Sequence, residues 1–150
     1  MTKALYTAII AITALLATTS CRRANHDGKL DGNWRVESVE NLSTGETVVP
    51  DEVFIAIQCE LLQFRRYAGG KTAHITGVID YSRKEHTLAV DFPYDVRHSA
   101  SALNYYLFTD YTEADLADRK GVSVTFDVEK VNSKSLVLRS PYALYRCRRF

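Results

Sequence analysis

The sequence predicts an all-β fold: an antiparallel meander of about eight short strands, closed into a barrel or folded into a sandwich, with one short helix late in the chain. Three observations carry that expectation. From Val122 to Glu129 apolar and polar residues alternate without a break, as in a strand with one buried face. Elsewhere, short apolar segments are separated by turn-forming residues at hairpin spacing. Nine Tyr and six Phe against one Met favour strands over a helical bundle. A length of 150 residues, 46% hydrophobic and 25% charged, suits one domain of ordinary globular composition.

The first twenty residues stand apart. Met1-Thr2-Lys3 is a short cationic start, Ala4 to Ala17 an uncharged apolar run, and Thr18-Thr19-Ser20 a small-residue stretch before Cys21. This is the three-part layout of a secretory signal peptide over residues 1–20. The run falls short of the ~20 residues that a bilayer-spanning helix needs. Cys21, placed directly after it, resembles the lipobox cysteine of bacterial lipoproteins, whose thiol takes a diacylglycerol and becomes the first mature residue. That family prefers leucine three positions before the cysteine; here Thr18 stands there, with Leu16 two positions earlier, a relaxed form similar to Bacteroidetes-type lipoproteins. The alternative is ordinary signal cleavage, with Cys21 a chance residue. Lipidation implies an exported protein fixed through Cys21 to a membrane of the cell envelope, the outer membrane being the expected one, without a spanning helix.

Charge and cysteines bound the partners. Net charge is +1, so no global field draws in nucleic acid or an anionic membrane. Of the 19 basic residues only Lys3 lies in 1–20, which leaves 18 against 18 acidic residues in the mature chain. In an oxidising envelope compartment Cys59 and Cys147 could form a disulfide. Equally, they are two small buried residues in neighbouring strands.

Residues 21–29 read as a polar tether, reaching about 20 Å if extended, and 30–150 as the folded domain. Leu30 to Glu40 alternates around Trp34 and Val36, with a parity break that suggests a bulge near Glu37-Ser38. Turn chemistry at Asn41 to Gly45 leads to a short strand, Glu46 to Val49, ended by Pro50. Val53 to Leu62 reads as one long strand continuing through Tyr67, before a turn at Ala68-Gly69-Gly70-Lys71. Residues 73–80 and 85–92 form a hairpin, with Ile79 opposite His86, Ile75 opposite Val90 and His74 opposite Asp91. After an irregular stretch, Leu103 to Phe108 reads as an aromatic strand. Thr112 caps a short helix over 113–120, closed by Gly121. The final strands pair Val128 with Leu136 and Phe126 with Leu138, and Ala143 to Phe150 closes the fold.

The opening Leu30-Asp31-Gly32-Asn33-Trp34-Arg35-Val36 contains a Gly-x-Trp core that resembles the first-strand signature of lipocalin-type barrels. The pattern is most similar to small lipocalin-like domains of Bacteroidetes lipoproteins, loosely over residues 30–150. The resemblance implies an up-and-down antiparallel β-barrel in which Trp34 packs at the closed end and an arginine of the last strand lies across its ring. Arg146, Arg148 and Arg149 all compete for that place. This chain departs from the family in placing its helix before the last three strands.

Chemistry-bearing patterns are sparse. The histidines at 26, 74, 86 and 98 show no metal-ligand spacing, and His86 reads as a rim residue. Asp110, Glu113, Asp115 and Asp118 lack calcium-loop spacing and read as helix capping and a solvated face. No G-x-S-x-G occurs, and neither Cys59 nor Cys147 has a local base. The expectation is a protein that is not an enzyme and carries no cofactor. Arg139, Arg146, Arg148 and Arg149, interleaved with Tyr142, Tyr145 and Phe150, read as outward-facing arginines plus barrel closure, not a nucleic-acid site. The leading expectation is a barrel that binds or carries a small apolar molecule. The candidate lining is Ile75, Ile79, Leu88, Val90, Val124, Phe126, Val128, Leu136 and Leu138, all of which could equally be plain core. The alternative is a filled barrel that binds another envelope protein.

Overall fold

The computed structural model describes residues 29–93, 99–116 and 121–150. The leader, Cys21 and all of the tether except Lys29 lie outside these residues, as do His26, His98 and Asp118. Among the described residues nine strands run in chain order: β1 (Gly32–Asn41), β2 (Thr47–Val48), β3 (Val53–Gln58), β4 (Leu61–Ala68), β5 (Lys71–Ser82), β6 (Thr87–Phe92), β7 (Val122–Val131), β8 (Ser135–Arg139) and β9 (Ala143–Arg149). Between β6 and β7 the described residues form helices α1 (Ala100–Leu107) and α2 (Glu113–Leu116). Every pairing is antiparallel, and β1 also pairs with β9 from Trp34↔Arg149 to Asn41↔Ala143. That last pairing closes β1 and β3–β9 into an eight-stranded up-and-down barrel. β2 is an extra strand added alongside the far end of β1.

The alternating pattern sets which side chains point inward. β7 alternates buried and exposed residues from Val122 to Glu129, with Val122, Val124, Phe126 and Val128 inside. In β1, Trp34, Val36 and Val39 are buried, and the expected bulge falls between Val36 and Ser38 in the pairing with β9. The extra residue restores inward aim after the parity break, so both halves of a long strand face the core. Gly69 and Gly70, both at positive φ, make a two-residue turn of the type hairpins favour.

Several local expectations are corrected. Residues 53–67 are not one strand: Cys59 takes a left-handed backbone (φ 56) and turns the chain between β3 and β4 without any Gly, Pro or Asn. The β5–β6 hairpin pairs Ile79 with Val90 rather than His86, because β5 runs on through Ser82 and the turn falls later. His74 accordingly sits opposite Arg65, and Asp91 opposite Val78, accepting from Ser123 Oγ across the other edge. Val128 pairs with Leu138, with a second bulge before Lys130. Residues 103–108 are helix α1 and its cap, not a strand. Ser99 Oγ accepts from Ala102 N at 3.2 Å, and Phe108 ends the helix in a left-handed conformation, donating its N–H to Asn104 O. Of the helix expected over 113–120, Glu113–Leu116 is described and helical; Thr112 and Asp115 cap it reciprocally.

Candidate functional site

The two ends of the barrel are built differently. At one end Trp34 is 0% exposed and donates its indole N–H to Leu30 O at 2.9 Å. The Arg149 guanidinium lies over the indole, 4.9 Å from the ring centroid, and also donates to Asp31 O. Gly32 is required here: at φ +146, a Cβ on it would sit 2.6 Å from the Arg149 guanidinium. The geometry thus selects one of the three competing arginines. Arg146 and Arg148 point outward and pair with Glu40 and Glu37, while Arg139 pairs with Glu129. Such exposed pairs contribute about 0–1 kcal/mol each.

The middle of the barrel is filled. Ile75, Ile79, Leu88, Val90, Val124, Phe126, Val128, Leu136 and Leu138 are all buried and all point inward. They meet an aromatic plug. Tyr145 of β9 packs against Phe64, Phe126 and Phe108 at centroid separations of 5.8, 5.9 and 6.2 Å. Phe64 also meets Phe92 and Tyr106. The nine candidate lining residues are therefore packed core, and none of them lines the opening described next.

At the other end α1 lies across the mouth, roped to two walls. Tyr106 donates its hydroxyl to Ala73 O on β5 at 3.0 Å, and Tyr145 donates its own to Tyr106 O at 2.8 Å. Ala100, Leu103, Tyr106 and Leu107 form the buried helical face. The loop beyond α1 is organised by Asn104, whose side-chain oxygen accepts from Thr109 Oγ1 and Tyr111 N while its amide donates to Tyr111 O. Glu113 accepts from Ala100 N at the start of the helix. Two members of the acidic run thus act as helix caps.

Between α1 and the β1–β3 side of the mouth a cleft of about 390 Å³ remains open. Its floor is Val36, Val39, Val53, Phe64 and Tyr145; Tyr105, Tyr106 and Phe108 form one wall. Val48, Val49 and Pro50, from β2 and the turn after it, form the outer lip, with Val49 76% exposed. Asn104 and Asp51 add polar groups at the edge. The volume falls within the roughly 300–1,000 Å³ of small-molecule sites. Sequence reading missed this lining because it depends on α1: Tyr105 and Tyr106 reach the cleft only as helical residues.

The remaining candidate groups are separate from the cleft. His86 is exposed in the β5–β6 turn at positive φ, a rim residue as expected. Cys59 and Cys147 are free thiols and not a disulfide: Cys59 is exposed in the β3–β4 turn, while Cys147 is buried on β9 between Val36 and Leu136. Burial, with Glu37 adding to it, pushes the Cys147 thiol up to about 12. Burial likewise pushes the Tyr145 phenol far above its ordinary range. Tyr111 is pushed up to about 12 by burial and by its hydrogen bond with Tyr142.

These shifts set a sign for alkaline stability. The unfolded chain releases these protons first, so the folded state binds more protons as pH rises and its stability falls. The loss should begin near the ordinary thiol value of 9.0 and continue towards pH 12. Each such group contributes up to about 1.4 kcal/mol per pH unit. Urea titrations at successive pH values should show this, and Cys147→Ala should delay its onset to the tyrosine range. An unchanged onset would remove Cys147 from the account.

A family model described as a lipocalin-like domain matches residues 14–150. The chain belongs to the lipocalin-like domain family. A lipocalin-like protein from Bacteroides uniformis ATCC 8492 superposes with a TM-score of 0.57 at 20% identity, covering 82% of this chain and 100% of that one. A protein from Bacteroides eggerthii DSM 20697, described as uncharacterized, superposes with a TM-score of 0.58 at 17% identity, covering 80% and 98%. At these identities the likeness is one of fold. None of the curated proteins matches. The Gly32-x-Trp34 motif of this lipocalin-like chain serves barrel closure, and its cleft lies at the opposite end.

Proposed function

We propose that this protein is a non-catalytic, lipid-anchored lipoprotein of the bacterial cell envelope whose barrel holds or carries a small, mostly apolar molecule. The observation that supports this most is the cleft under α1, apolar on its floor and walls and open to solvent along one side. The site moves from the barrel interior, where sequence reading placed it, to the mouth. Native mass spectrometry of protein purified from its source should show a co-purifying small molecule that denaturation releases. Recovery only as bare protein counts against the reading.

The leader layout and the position of Cys21 support the anchor. The chain enters the barrel beside Trp34, at the closed end, so an anchored domain would present its cleft away from the membrane. Cys21→Ser should release the protein from the membrane fraction and abolish incorporation of a lipid label. Unchanged partitioning and labelling would defeat the anchor.

A second reading rests on a different observation. Phe54, Tyr67 and Phe150 pack edge-to-face on the outer wall, and Tyr67 and Phe150 are 41% and 81% exposed. A filled barrel carrying such an aromatic patch also suits an interaction module that binds another envelope protein. Phe150→Ser would weaken that contact without touching the cleft.

A further inference from the structure

Arg66 adjoins the cleft without being among the residues that line it. Arg66 lies on the inward-facing side of β4, two residues past Phe64 and directly opposite Val53 of β3. Phe64 and Val53 both line the cleft. The Arg66 guanidinium carbon sits 5.1 Å from the ring centroid of Tyr105, a third lining residue. Arg66 Nε is buried and, alone among the buried side-chain nitrogens and oxygens of the described residues, has no hydrogen-bond partner. Buried polar groups are almost always paired, and an orphaned donor on a cation is among the costlier exceptions.

We propose that Arg66 is the head-group site of the cleft, and that the ligand is a small amphiphile with a carboxylate at one end. The inference rests on reading the cleft as a binding site and adds the chemistry of what it holds. Arg66 Nε–H and an adjacent Nη–H form a planar fork that a carboxylate meets edge-on with two oxygens. An apolar tail then runs past Val53 and Phe64 towards Val36 and Val39, displacing water and strengthening the charged contact behind it. A wholly apolar ligand would leave Nε unpaired.

Neighbouring groups leave the place open to an anion. Burial, followed by the adjacent Tyr105, holds the Tyr106 phenol above its ordinary range against the opposing pull of Arg66, so it stays neutral. Asp51 is the one acid among the described lining residues and stands exposed at the outer edge, where solvent and salt screen it.

Calorimetric titration of the purified protein with decanoate, and separately with decanol, tests this at neutral pH. Decanoate should bind at least about tenfold more tightly, the increment of a charge-assisted hydrogen bond. Arg66→Met should erase that preference while holding decanol within about twofold of wild type, which reports an intact cleft. Arg66→Lys should keep part of the preference. Equal affinities in the wild type, or an undiminished preference in Arg66→Met, overturn the head-group assignment and leave the cleft reading standing. Loss of both ligands from Arg66→Met, with Arg66→Lys no better, makes Arg66 a structural support and also overturns it. Binding of neither ligand by the wild type removes the cleft reading, and this inference with it.

Discussion

Trp34→Ala should lower the unfolding free energy by about 3–5 kcal/mol, the range for truncating a fully buried aromatic side chain. Three losses combine at this position. The indole leaves a void at the barrel end, Leu30 O loses its donor, and Arg149 loses the ring beneath it. A urea titration followed by circular dichroism measures the change. Arg149→Leu alone should cost about 1 kcal/mol for the guanidinium–indole contact, and the double variant should cost less than the two singles together, since each removes the same pair. Strict additivity would mean that arginine and tryptophan are neighbours without coupling.

Tyr145→Ala should cost a comparable amount, about 3–5 kcal/mol by the same reasoning for a buried ring, but with a functional consequence that Trp34→Ala lacks. Tyr145 separates the filled interior from the cleft and carries the hydroxyl that holds Tyr106 O. Its removal should join the vacated space to the cleft, so that bulkier apolar probes bind more tightly although the protein melts lower. Tyr145→Phe separates the two roles: it keeps the plug and leaves Tyr106 O without its donor, costing about 1–3 kcal/mol. Amide exchange in α1 should then quicken while exchange in β7 and β8 does not. Uniform loosening of the whole barrel would show that the hydroxyl does not act on α1 in particular.

How much of this was legible from residues alone follows from what each signal depends on. Period-two alternation is local, so inward faces were read correctly throughout β7 and on both strands of the β5–β6 hairpin. The β5–β6 register nevertheless slid by four residues, an even number, which preserves faces while misplacing partners. Turn positions were legible where glycine marked them, at Gly69-Gly70, and illegible at Cys59-Glu60, where strand pairing forces an ordinary residue into a left-handed backbone. Leu103 to Phe108 reads as a strand in the sequence because aromatic residues favour strands, whereas Ser99 as a cap and burial at Ala100, Leu103, Tyr106 and Leu107 mark a helix. The cleft was out of reach for the same reason, since it forms only where that helix crosses the mouth. The Gly-x-Trp motif marks Trp34, but the choice of Arg149 over Arg146 and Arg148 depends on the register of β9 against β1.

That β1–β9 seam also has a kinetic side. Arg149 reaches back to Asp31 across 118 positions of sequence, so the contact that seals the barrel spans nearly the whole folded domain. Neighbouring hairpins can form locally and early, but one edge of β1 must wait until β9 has been made. Sealing should therefore be the slow step, in the millisecond-to-second range of non-local β topologies. Until it happens, β1 and β9 each present an unpaired strand edge, and crowding of unfinished chains at that stage is when this protein is most exposed to aggregation.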